Sequence, residues 1–183
     1  MLFRSTTSDV RRIELPFEIN GLIDPITLTH TPSYFYDLLQ RDIRRSERNS
    51  EKLALITFDF SASAISATKM IDFLMKISLI LKQSLRSDEY FSRIGFEKFA
   101  ILIHGDRAAA LVALNRVQKE LKKIENDCFS IIYIAPTDGD EHDEPETNSL
   151  RSLVSGSSVA VNTQIFVRDA GMSLVEWLEV ASI

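Results

Sequence analysis

Tyr90-Phe91-Ser92-Arg93-Ile94-Gly95-Phe96-Glu97-Lys98-Phe99-Ala100-Ile101-Leu102-Ile103 decides the fold class of this chain. Tyr90–Ile94 and Phe99–Ile103 are short runs of aromatic and branched residues around Gly95–Lys98, which is hairpin spacing with glycine in the turn. Upstream, Leu53–Phe60 (LALITFDF) is too short for most helices and predicts a strand buried on both faces, with Asp59 near its C-terminal end. Between the two lies a helix pattern through Met70, Phe73, Leu74, Ile77, Ile80, Leu81 and Leu85. Earlier still, Thr31 suits an N-cap and Pro32 the first helical position. Phe35, Leu38, Leu39 and Ile43 follow at helical spacing, and this helix should end near Asn49. Downstream, Asp106 can cap a helix with Leu111, Leu114, Val117, Leu121 and Ile124 on one face. Phe129–Ile134 predicts a strand, residues 137–147 an acidic loop, Ser149–Val161 a weak helix, Gln164–Val167 a short strand and Ser173–Val180 a terminal helix. A hairpin amid alternating elements is not a doubly wound pattern. It predicts an α+β domain with a mixed central sheet, ferredoxin-like or palm-like.

The chain has 183 residues, 45% hydrophobic and 26% charged. That predicts one domain with a core large enough to fold without disulfide or metal. One cysteine cannot form an internal bridge, so a reducing cytoplasm is the simplest compartment. The N-terminus has no apolar stretch typical of a signal peptide, and no run reaches a membrane span. A net charge of −5 argues against nucleic acid as the main partner. Residues 1–21 read as a leader containing at most a short strand through Arg12–Leu15.

Three segments together resemble the GGDEF family of bacterial diguanylate cyclases. Asp24-Pro25-Ile26-Thr27 followed by Tyr34-Phe35 is similar to the family's opening D-x-L-T-G-L-x-N-R-x-x-F. Leu53–Asp59 is similar to the strand that ends in the family's first metal-binding aspartate. Arg93–Leu102 resembles the signature hairpin R-x-G-G-D-E-F-x-I-L. The resemblance covers residues 22–168, leaving 169–183 as a C-terminal helix. It implies a mixed, mainly antiparallel five-stranded sheet flanked by helices. It also implies chemistry in which two GTP molecules condense to cyclic di-GMP across a dimer, with divalent metal ions.

This sequence departs from that pattern at several points. Asp59 remains and Glu97 matches the first acid of the signature, but the second is Lys98. An ammonium there repels a cation where Mg²⁺ would want oxygen ligands. Phe96 replaces the second glycine, putting a bulky side chain where backbone would approach triphosphate. The guanine-recognising stretch after the first strand is missing, and Thr31-Pro32 replaces the early Asn-Arg. The expectation is a degenerate domain with vestigial positions Asp59, Gly95, Phe96, Glu97 and Lys98. No catalytic residue, metal ligand or cofactor is expected. An altered but active nucleotide cyclase using Asp59 and Glu97 is the alternative, and an unrelated α+β interaction domain is a third reading. The family's inhibitory product site, R-x-x-D, falls at Arg86-Ser87-Asp88-Glu89. Arg86 matches the arginine and Glu89 stands for the aspartate, with Asp88 as a substitute. Candidate partners are therefore cyclic di-GMP, a protein partner or fused signalling domain, and a second copy of the chain.

Each candidate has a plainer structural reading. Asp59 reads as a strand-end residue paired with Lys98, and Glu97 and Lys98 as turn residues facing water. Arg86 and Glu89 read as a solvated connection. Arg41, Arg44, Arg45 and Arg48 are interleaved with Asp42, Glu47 and Glu51, which suits a solvated helix face. Asp138–Glu144 lacks calcium-loop spacing, His30, His104 and His142 share no ligand spacing, and Cys128 reads as a buried thiol. Trp177 reads as a core or interface anchor.

Overall fold

A computed structural model of the chain describes residues 21–62, 67–124, 130–133, 137–138 and 158–183. The elements in chain order are α1 (Pro32–Asn49), β1 (Leu53–Ala62), α2 (Ala67–Ser84), β2 (Tyr90–Arg93), β3 (Lys98–His104), α3 (Arg107–Ile124), β4 (Ser130–Tyr133), β5 (Thr137–Asp138), β6 (Ser158–Val167) and α4 (Leu174–Val180). Five strands form the path β2-β3-β1-β6-β4, and β5 pairs with β6 as a two-residue addition. β2, β3, β1 and β6 run antiparallel to their neighbours along that path, whereas β4 and β5 are parallel to β6. The sheet is thus mixed and mainly antiparallel, as the α+β reading expects.

β1 is central, and its two faces explain its unbroken apolar run. Ala54, Ile56, Phe58 and Phe60 join Met70, Phe73, Leu74 and Ile77 of α2 and Ala113, Leu114, Val117 and Leu121 of α3 in one core. Leu53 and Leu55 face the other way, onto Phe35, Leu39 and Ile43 of α1 and Trp177 of α4. Phe60 meets Phe73 and Phe99 edge-on, with ring centroids 5.4 and 5.9 Å apart, the arrangement that ring quadrupoles favour.

α1 begins at Pro32 after Thr31, as its sequence predicts, but Thr31 makes no side-chain cap. Its hydroxyl instead donates to the Gly21 carbonyl at 2.7 Å, tying the preceding turn to the helix. Arg41, Arg44, Arg45 and Arg48 are all exposed, as expected of a solvated face. Asp106 caps α3, its Oδ1 accepting from the Ala108 and Ala109 amides at 3.0 and 3.2 Å.

Two expectations fail. Residues 158–161, read as the end of a weak helix, are strand: Val159 and Val161 are fully buried and β6 bonds to both β1 and β4. β-branched residues with sheet neighbours on either side override the local serine-rich signal. Thr137 and Asp138, read as loop, pair with Gln164 and Ile165. Residues 149–157, the rest of the acidic loop, Cys128, His142 and Arg12–Leu15 lie outside the described residues. The terminal helix forms where Ser173 and Glu176 make a reciprocal capping box, and Trp177 is fully buried against the sheet. A seven-residue helix is too short to be stable by itself, so cap and tryptophan hold it.

Candidate functional site

The hairpin turn is built from backbone. The Ile94 and Gly95 amides both donate to the Lys98 carbonyl, at 2.9 and 3.2 Å, and the Phe60 amide donates to Glu97 O at 2.9 Å. A Cβ at Gly95 would sit 3.3 Å from Lys98 Cβ, so a side chain is tolerated there only if the turn yields. Phe96 points outward and is 65% exposed. Glu97 and Lys98 are half-buried, not fully solvated as the plain reading holds.

Sheet register places Asp59 and Lys98 side by side in one row. Asp59 is the cross-strand partner of Lys98 on β3 and of Asn162 on β6. Cross-strand partners project to the same face, here the face covered further along by α1 and α4. Burial pushes the Asp59 carboxyl above its ordinary range, and the Lys98 charge opposes that push without cancelling it. Lys98 Nζ donates to the Ser182 carbonyl at 2.9 Å. The expected Asp59–Lys98 pairing is therefore a cross-strand neighbourhood, with the ammonium's hydrogen bond given to the C-terminal segment. Among the described residues, no three His, Cys, Asp or Glu side chains come together as a metal-binding group.

The opening motif and the signature hairpin meet directly. Arg93 Nε donates to Asp24 Oδ2 at 2.6 Å. The same carboxylate accepts from the Ile26 amide at 2.9 Å and the Thr27 hydroxyl at 3.0 Å. Burial pushes Asp24 upward, but the Arg93 hydrogen bond, the Ile26 amide, the Arg93 charge and the Thr27 hydroxyl together bring it below its ordinary value. The turn then covers the edge of β2: Ser92 Oγ donates to the His30 carbonyl at 2.7 Å. Together these bonds brace the hairpin from outside.

Arg86, Asp88 and Glu89 line one pocket of about 150 Å³ with Ile103, His104, Ala109, Val112 and Arg116. Arg86 and Asp88 are exposed at its rim. The Arg86 amide donates to Glu89 Oε2 at 2.7 Å, closing the connection before β2. Arg116 Nη2 reaches Glu89 Oε1 and Oε2 at 2.6 and 2.8 Å. The Glu89 side chain is only 7% exposed, so the solvated reading of this residue is corrected: it is an anchored carboxylate. Arg116 Nε is buried without a hydrogen-bond partner. The sequence pattern does not single out Arg116. Its only local signal is a cation three residues after the buried Ala113, on the border of the apolar face of α3. His104 also lies 3.4 Å from Asp42 of α1.

Solved structures with this architecture are GGDEF domains. The GGDEF domain of DgcB from Caulobacter crescentus, in complex with c-di-GMP, aligns over 89% of this chain and 86% of its own, with TM-score 0.63 and 14% identity. The FimX GGDEF domain from Pseudomonas aeruginosa aligns over 88% and 87%, with TM-score 0.59 and 17% identity. Diguanylate cyclase SiaD from Pseudomonas aeruginosa, in complex with its activator SiaC, aligns over 88% of this chain but 55% of its own, with TM-score 0.60 and 16% identity. No family model matches the sequence, and no curated protein matches it. At these identities the likeness establishes the fold: the chain has the GGDEF-domain fold. No helix among the described residues is long and apolar enough to cross a membrane.

Proposed function

We propose that this chain is a non-catalytic GGDEF-like module of bacterial cyclic di-GMP signalling, one that binds rather than makes the dinucleotide. The observation that carries the reading is the row Lys98–Asp59–Asn162. A divalent ion at this position would need clustered anionic oxygen. The donor set does not fit one: the row offers a single carboxylate, whose charged form burial disfavours, next to an ammonium. Incubation of purified chain with GTP and Mg²⁺ or Mn²⁺ tests this. No cyclic di-GMP is expected, and clear production sinks the reading.

Ligand binding belongs to the other pocket. Arg86 and Arg116 both line one small cavity, and guanidinium matches phosphate oxygens in paired geometry. The DgcB domain, solved with c-di-GMP, and SiaD, solved with its activator, support a signalling role for this fold. Calorimetry with cyclic di-GMP should give micromolar binding that Arg86→Ala abolishes. Absence of heat at high ligand concentration leaves docking of a protein partner as the function.

A further inference from the structure

One face of α2 carries an apolar surface that none of the described residues covers. Ile71, Met75 and Leu79 recur every fourth residue and so form one ridge along the helix. They are 39%, 49% and 55% exposed. Ile26 and Leu28 extend this surface across a groove of about 320 Å³ that Met75, Leu79 and Phe91 also line. Leu28 sits at φ 54°, a conformation leucine rarely adopts. The bond from its amide to the Asp24 carbonyl, 2.9 Å, closes the turn that presents it. Singly scattered apolar residues need no explanation, whereas a contiguous set around one groove marks an interaction surface.

The charges beside the ridge identify the occupant. Asp72 and Lys82 both lie on the exposed side of α2, five residues to either side of Ile77. We propose that this face is a homodimer interface in which α2 packs antiparallel against α2 of a second copy. With the two-fold axis level with Ile77, Met75 lies opposite the partner's Leu79 and Asp72 opposite the partner's Lys82. Two-fold symmetry repeats each contact, giving an apolar centre flanked by two ion pairs. A parallel arrangement would set Asp72, Lys76 and Lys82 each against its own copy, whereas the antiparallel one does so for Lys76 alone, so the charge pattern favours the antiparallel one. α2 lies on the opposite face of the sheet from Leu53, Leu55 and the row through Asp59. This pairing therefore leaves that row free and stands or falls independently of the proposed function.

Sedimentation of the full chain from about 1 to about 100 µM, the range in which a small interface dissociates, tests the proposal. A concentration-dependent dimer is expected. Leu79→Glu should raise its dissociation constant at least about tenfold, as loss of a central apolar anchor does, while circular dichroism stays unchanged because Leu79 is exposed. Asp72→Lys and Lys82→Asp should each weaken the dimer, more at low salt than at high, and the double swap should restore it. A monomer throughout the range, with the face covered by another segment or another protein, overturns the proposal. So does a dimer indifferent to Leu79→Glu, or a double swap that fails to rescue.

Discussion

Asp24 and Asp59 each face a cation from the same β2–β3 hairpin, yet their carboxyls shift in opposite directions. Arg93, at the end of β2, bonds Asp24 at 2.6 Å, and two further donors complete the carboxylate's shell. Lys98, at the start of β3, neighbours Asp59 but gives its hydrogen bond to Ser182. Burial disfavours both anions. Direct hydrogen bonds reverse that for Asp24, whereas a neighbouring charge alone does not for Asp59. The lesson is that proximity of opposite charge is not a salt bridge.

The largest test breaks the satisfied pair. Arg93→Met strands the Asp24 carboxylate in a buried turn and should cost about 3 kcal/mol in urea unfolding, as removal of one partner from a buried pair does. Acid titration should show the complementary sign. The folded value of Asp24 lies below its ordinary 3.8, so its contribution is fully present above that pH and is lost as pH falls through the folded value.

Asp59→Asn should act oppositely and by less. The folded value of Asp59 lies above 3.8, so the native state binds the extra proton and the carboxylate destabilises the fold at neutral pH. The variant should gain stability at pH 7, because the amide removes a charge that burial disfavours. The gain should fade as pH falls through the folded value and vanish below the ordinary one. A loss of stability at pH 7 would show that Lys98 holds Asp59 more firmly than its geometry implies.

Lys98→Met is the finest probe. It removes one half-exposed hydrogen bond, worth about 0.5–1 kcal/mol, and raises the Asp59 carboxyl further. Combined with Asp59→Asn, the double-mutant cycle should show only a small coupling, carried by the Lys98 charge and not by a bond. A larger coupling in the double-mutant cycle would mean that the two side chains do bond.

Most of the scaffold is legible in the sequence because its signals are local. α1, β1, α2, the hairpin and α3 show periodicities that tertiary packing reinforces. β6 is only half legible because residues 158–161 follow a serine-rich run and become a strand only through bonds to β1 and β4 on either side. The Asp59–Lys98 neighbourhood is legible once a hairpin is placed beside β1. The Arg116–Glu89 bond is not: 27 residues separate the partners, and nothing in α3 announces which way one arginine turns. Ser182 as the acceptor for Lys98 is equally invisible, because it depends on how α4 seats against the sheet.

That last bond joins positions 84 residues apart, the start of β3 and the segment after the final helix. In mechanical terms it is a light strut, one exposed hydrogen bond laid from the edge of the turn to the segment behind α4. Were the strut to let go, the lysine would be free to swing across to its acidic neighbour, so the protonation of one strand-end group reports the seating of the chain's last turn.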